Sequence, residues 1–266
     1  MAIDLPAGIS REAISEFFLA LADDELVLGH RDSEWTAFAP ILEEDIAFSN
    51  IAQDELGHSL VWFTMYEELT GRTPDEMAFK RPWKDFRCCR FVSYPKGDFA
   101  YAVVRQYLFD AAEQVRLKEL LESSVPALRD ISQRIIREEN YHVMHSQGLV
   151  ERLGDATQES HGRMQTAVDE AFPQALGMFE KLSSEEELIK GGLFPGNDEL
   201  RSAWLLQVVP VLRKATLAVP VVNQKNSFVA NVAADDGGRQ GNHTEHLRSM
   251  VEDMQSVYRL VPNGKW

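Results

Sequence analysis

Cysteine is nearly absent from this chain: two in 266 residues, Cys88 and Cys89, side by side. Adjacent cysteines rarely pair with each other, and they lack the Cys-x-x-Cys spacing of a zinc site. Two ordinary reduced thiols are expected, with no disulfide framework and no iron–sulfur cluster. Long apolar runs are also missing, since spanning a bilayer takes roughly 20 consecutive apolar residues. The first ten residues, MAIDLPAGIS, lack the charged and apolar regions of a signal peptide. The expectation is a cytoplasmic protein with no membrane partner. Positive charge is scarce, with 27 Lys and Arg against 42 Asp and Glu and a formal charge of −15. Nucleic-acid phosphates repel such a chain, so no nucleic-acid partner is expected. No Gly-rich dinucleotide motif opens a helix, so neither flavin nor NAD is expected on this chain. Runs of alternating β-branched residues are few, and no repeat of solenoid period is present.

What the chain does have is helical periodicity and, at 44% hydrophobic residues, enough apolar material for a sizeable core. Ser10 can cap a first helix with the stripe Ile14, Phe18, Leu21 and Leu28. Pro40 opens a second helix that ends near the Gly71–Pro74 turn. A third begins near Asp98, and Pro126 starts a fourth that stops near Gly154. Further helices are expected after Asp155, with a kink or an end at Pro173, within Asn197–Leu217, and at His243–Leu260. Residues 72–98 and 219–242 read as irregular. No linker divides the chain, so one all-α domain over residues 1–266 is expected, with a core bundle at about 10–154 and extra helices at about 155–266. Two of the three connections in the core are short, which favours antiparallel neighbours and a four-helix bundle.

The second helix contains AQDELGHSLVWF and the fourth contains REENYHVMH. Glu55 and His58 are three residues apart, as are Glu139 and His142, so each pair lies on one helical face. One Glu-x-x-His arises easily by chance. Two, each near the middle of a long helix, match the carboxylate-bridged dinuclear bundles, which add one acid from each of the other two helices. Reflecting residue 139 through a turn centred between residues 124 and 125 lands on Asp110, on the stripe of Val103, Tyr107, Leu117 and Leu121. Glu113 is the alternative one turn later. Reflecting residue 55 through residues 38–40 lands on 21–25, where only Glu25 shares the stripe of Ile14, Phe18, Leu21 and Leu28. The candidate metal ligands are therefore Glu25, Glu55, His58, Asp110, Glu139 and His142. Four carboxylates and two neutral imidazoles balance two divalent cations, and mixed oxygen and nitrogen donors suit iron or manganese. His30, His145, His161, His243 and His246 lack the pattern, His145 being one turn from His142. The segment Lys80–Lys96 carries Lys80, Arg81, Lys84, Arg87, Arg90 and Lys96 against the single acid Asp85. It reads either as a contact for a phosphorylated substrate or acidic partner, or as a solvated loop with its aromatics packed inward.

The chain resembles the ferritin-like subunits of bacterial phenylacetyl-CoA epoxidase, the ring-1,2-epoxidising monooxygenase: its segments DELVLGHRDSEW, IAQDELGH, FDAAEQV and REENYH resemble the metal-bearing segments of the catalytic A subunit. FAYAVVRQYLFDA, YHVMHSQGLVERLG and HTEHLRSMVEDMQ…VPNGKW are similar to segments of the C-type subunits of that family, and the resemblance covers nearly the whole chain. It implies a ferritin-like four-helix bundle with additional C-terminal helices. It also implies a multicomponent enzyme of phenylacetate catabolism. A catalytic A-type subunit would hold diiron and bind the CoA thioester, a B-type subunit would bridge, and an external flavin/iron–sulfur reductase would supply electrons. C-type subunits commonly carry Gln where His58 stands and an apolar residue where Glu139 stands, whereas this chain keeps all six candidates. The expectation is a C-type partner that retains a dinuclear iron site. One alternative is that this chain is itself the oxygen-activating diiron subunit of a related monooxygenase. Another is an iron-binding, ferroxidase-like protein.

Overall fold

A computed structural model of the chain describes residues 3–262 and 264. Asn263, Lys265 and Trp266 of the segment VPNGKW lie outside the described residues, as do Met1 and Ala2. The core is formed by α1 (Arg11–Ser33), α2 (Leu42–Thr70), α3 (Phe99–Leu120) and α4 (Pro126–Gly154). The C-terminal part adds α5 (Gln158–Leu176), α6 (Glu185–Lys190), α7 (Asn197–Lys214), α8 (Glu245–Met254) and α9 (Ser256–Leu260).

Local chemistry sets most of these ends. Ser10 accepts a hydrogen bond from the Ala13 amide and so caps α1. Asp98 does the same for α3 through the Tyr101 amide. Gly71 ends α2 in the left-handed region at φ 75°, where other residues are strained. Pro126 stands at the start of α4, where its missing N–H costs nothing.

The helices pair in sequence order: α1 lies along α2, and α3 lies along α4. At Gly29 the first pair is so close that a Cβ would sit 3.1 Å from the Ala52 carbonyl oxygen and 3.2 Å from the Glu55 Cβ. The missing side chain brings α1 against α2 at the level of Glu55. Ser59 fastens the same pair by donating to the Ala22 carbonyl at 2.8 Å. The two hairpins then face each other, and α2 and α4 reach backbone packing distance at few positions, which leaves room for side chains between them.

Helices α5 and α7 pack against the outer face of α3, where Trp204 donates its ring N–H to the Leu108 carbonyl at 2.9 Å. As a result α3 is buried without a break from Ala100 to Leu117, polar residues included. Each large apolar side chain sealed in this way contributes about 1.5–3 kcal/mol. The apolar stripe on α1 is buried as expected, at Ile14, Phe18, Leu21 and Leu28.

The structure differs from the sequence reading in several places. Residues 219–242 are not uniformly irregular: β1 (Val221–Gln224) and β2 (Ser227–Ala230) form an antiparallel hairpin, whose strands are too short to signal themselves by alternation. The terminal helix is two pieces, α8 and α9, broken at Gln255, whose side-chain amide donates to the carbonyls of Ala78 and Arg81. Helix α6 and the short helical turns within residues 76–93 also lay inside stretches with no periodic signal. Helix α5 runs through Pro173 and ends three residues later.

Candidate metal centre

The sequence ADDE on α1 sends three consecutive acids in different directions, and all three are buried. Asp23 meets Arg81 in a two-pronged ion pair and accepts the Arg87 amide at 2.7 Å. Asp24 takes Arg239 at 2.9 and 2.5 Å and the Cys89 amide at 2.7 Å. Both anchor the loops that cross α1. Glu25 turns instead to the space between the hairpins, 4.0 Å from His58 Nδ1.

There it meets the faces of α2 and α4. Glu55 Oε2 lies 3.8 Å from His58 Nδ1, and Glu55 Oε1 lies 3.7 Å from His142 Nδ1, so one carboxylate reaches both imidazoles. Glu139 Oε1 is 3.4 Å from His58 Nδ1 and 3.3 Å from His142 Nδ1, midway between the same two nitrogens. Two sets of donor atoms draw close enough to share an ion: Glu25, Glu55 and His58, and then Glu55, Asp110 and His142. The structure thus brings all six sequence candidates to one buried place. Glu113 is buried too, but it pairs with Arg116 on its own helix.

The outer ring nitrogens are held across the helix pair. His58 Nε2, on α2, lies 2.8 Å from Glu138 on α4, and His142 Nε2, on α4, lies 3.2 Å from Asp54 on α2. A carboxylate on Nε2 places the ring N–H there and turns Nδ1 inward, the arrangement that orients metal-binding imidazoles. Asp54 and Glu138 escaped the sequence reading. The signal was present, because each immediately precedes the glutamate of a Glu-x-x-His pair. Gln106 and Ser146 also escaped it. Gln106 Nε2 donates to Asp110 Oδ1 at 2.7 Å and to Glu55 Oε1 at 3.3 Å, and Ser146 Oγ donates to Asp110 Oδ2 at 2.8 Å.

The donor set fits a metal pair. Among the described residues, Glu25 Oε2, Glu55 Oε2, both Glu139 oxygens and both inward Nδ1 atoms are buried without a hydrogen-bond partner. Buried polar atoms are nearly always satisfied, and here the unsatisfied ones converge. Without an ion, protons must offset the charge. Burial pushes Glu25 well above the usual carboxyl range, and the neighbouring Glu55 adds to it. Burial, then the charge of Glu139, raises Asp110 likewise. Burial also favours neutral Glu55, but the neighbouring Glu25 carboxyl and the His58 and His142 imidazoles outweigh it and hold Glu55 at about 2. Burial alone would lower both imidazoles. The surrounding carboxylates reverse that, raising His58 to about 9 and His142 to about 12.

The remaining histidines lie elsewhere. His145 bonds Glu44 at 3.0 Å, His161 contacts the Gly154 carbonyl, and His243 contacts the Phe86 carbonyl. The basic segment is largely consumed internally. Arg81 is buried on Asp23, Arg87 donates to the Lys84 and Phe86 carbonyls, Arg90 pairs with Asp235, and Lys96 donates to the Glu34 carbonyl. Its Phe86 and Phe91 are packed inward, which is the second of the two readings given for it.

No helix among the described residues is long and apolar enough to cross a membrane. Comparison with known proteins extends the picture beyond the site. The chain is 35% identical to the C component of 1,2-phenylacetyl-CoA epoxidase from Escherichia coli (strain K12), over 254 residues that cover 95% of this chain and 99% of that one. A family model described as phenylacetic acid catabolic protein matches residues 3–266. With the helical bundle and the paired Glu-x-x-His faces in place, that match over almost the full length shows that the chain belongs to the phenylacetic acid catabolic protein family.

Proposed function

We propose that this chain is the C-type component of a multicomponent oxygenase acting on phenylacetyl-CoA or a related aryl- or acyl-CoA, and that its own bundle holds a dinuclear iron centre. The assignment as a C-type component rests on likeness to its counterpart in the epoxidase along nearly all of both chains. The metal assignment rests on one observation: two Glu-x-x-His faces converge with their inward donor atoms unpartnered. Glu25, Glu55, His58, Asp110, Glu139 and His142 would hold the ions, with manganese as the other cation suited to this donor set.

An iron pair in such a site supplies oxygen-activating chemistry. The chain's own residues do the rest. Glu138 and Asp54 fix the imidazoles from outside. Gln106 and Ser146 fix Asp110, and the apolar packing of α5 and α7 on α3 keeps that side of the centre dry. Electrons come from a separate flavin/iron–sulfur reductase, and an A-type subunit is the partner.

The complete donor set also favours a second reading, in which this chain is the oxygen-activating subunit itself. Anaerobic Fe(II) loading followed by metal analysis tests the site, with two irons per chain expected; no bound iron removes both metal readings. Co-expression with an A-type subunit tests the partnership, which fails if the two chains elute separately. Turnover of a CoA thioester by loaded chain and reductase, without an A-type subunit, selects the second reading.

A further inference from the structure

The two halves of the centre are not alike. Asp110 has both carboxylate oxygens engaged, by Gln106 at 2.7 Å and by Ser146 at 2.8 Å. Ser146 is held in turn, since its hydroxyl also lies 2.8 Å from the His142 carbonyl one turn back on α4. Gln106 stands one turn before Asp110 on α3, yet its amide reaches Glu55 on α2 at 3.3 Å and so ties carboxylates from both hairpins. On the other half, Glu25 Oε2 has no hydrogen-bond partner among the described residues, while Glu139 lies between the two halves.

An amide suits this task for a physical reason. Arginine or lysine would also donate to two carboxylates, but would cancel part of the charge that attracts a cation. The amide orients both acids and leaves their net charge intact. Carboxylates already fixed in place lose little freedom when an ion arrives, so a position built from them binds more tightly than one whose acids must first be ordered.

We propose that Gln106 is a positioning residue that makes the two ion positions unequal: it pre-forms the Glu55–Asp110–His142 position, which fills first, and leaves the Glu25–Glu55–His58 position to fill second. This rests on the metal reading above, and the test separates the two.

The full-length metal-free chain is titrated with Co(II), followed by calorimetry and visible absorption, and crystals loaded with one equivalent are located by anomalous scattering. Wild type is expected to bind in two resolvable steps, with the first cobalt beside His142. Gln106→Met keeps length and helix preference but removes the donor. It should weaken the tighter step by about 10–100-fold, alter that ion's absorption band and leave the weaker step in place. Ser146→Ala removes a donor to Asp110 alone and should move the same step by less, and it carries the question if Gln106→Met does not fold. Glu138→Gln, which touches only His58, should weaken the other step. A first cobalt beside His58, or a Gln106→Met chain whose two steps shift together or not at all, overturns the proposal while leaving the metal site standing. A wild-type chain that binds no cobalt overturns the site and this inference together.

Discussion

Asp24 and Glu25 are consecutive, equally buried and on the same helix, yet their surroundings are opposite. Asp24 is matched within the chain by the Arg239 guanidinium and the Cys89 amide. Glu25 faces Glu55 and His58, and its Oε2 has no hydrogen-bond partner among the described residues. A buried carboxylate is tolerated when a cation accompanies it and is costly when none does. The pairs on Asp23 and Asp24 show that this fold provides arginines for buried acids where the role is structural. None of the four acids of the centre has an arginine ion pair among the described residues, which is what a place kept for an external cation requires.

The same substitution at the two neighbours should therefore act in opposite directions. Asp24→Met leaves Arg239 buried without its partner and should cost about 3–5 kcal/mol of stability, read by denaturant unfolding. The loss should be the same with and without metal. A stability change within about 0.5 kcal/mol would mean that the ion pair contributes little, and the contrast between the two neighbours would fail.

Metal should act on one neighbour and ignore the other. Ions held at 100 times their dissociation constant should stabilise the wild-type chain by about 2.7 kcal/mol for each independent site, and Asp24→Met by the same amount. Glu25→Met should lose a large part of that gain. In the metal-free chain, however, Glu25→Met should be neutral or stabilising by about 1–2 kcal/mol, since it removes a buried acid with no counterion. A metal-free Glu25→Met chain destabilised as much as Asp24→Met would show that Glu25 has a structural partner after all.

The contrast also marks how far the sequence could be read. The convergence of Glu25, Glu55, His58, Asp110, Glu139 and His142 was legible because helical spacing and hairpin symmetry are local and geometric. The bundle was legible because Ser10, Asp98, Gly71 and Pro126 announce helix ends through short-range chemistry. The partners of Asp23 and Asp24 were not legible. Arg81 and Arg239 are 58 and 215 residues away, on loops without periodicity, and no spacing rule connects them. Stripe membership singled out Glu25 among residues 23–25, but it gave no sign that the other two are buried as well. The basic segment stayed open between two readings for the same reason: the acids that neutralise Arg81 and Arg90, Asp23 and Asp235, are distant in sequence. Asp54 and Glu138 lie between these cases, since their positions beside Glu55 and Glu139 carried a signal that the three-residue spacing alone did not use.

The smallest expected effect, and the one that separates the two kinds of buried acid most finely, is the dependence on pH. In the metal-free chain His58 is raised to about 9 and His142 to about 12, while burial raises Glu25, Asp110 and Glu139, and takes Asp32 to about 8. Every one of these groups holds its proton more tightly folded than unfolded. Their contribution is complete below the unfolded values, about 4 for the acids and about 6.5 for the imidazoles, and is lost as pH rises through the folded ones. Glu55, held at about 2, works the other way, but its contribution is lost only in acid, below about 4. Between about pH 6.5 and about pH 9 the metal-free chain should therefore lose stability steadily as pH rises. Metal must displace the protons held by its own ligands, though not that of Asp32, so ion affinity should strengthen over that interval and the loaded chain should become the more stable form by a widening margin. Unfolding curves of metal-free and Co(II)-loaded protein across that range measure both slopes. In Glu25→Met the metal-free slope should be shallower, whereas Asp24→Met removes only the smallest of the charges that raise Glu25 and should change the slope less. A Glu25→Met slope equal to wild type would mean that the protons offsetting the buried charge reside somewhere other than this centre.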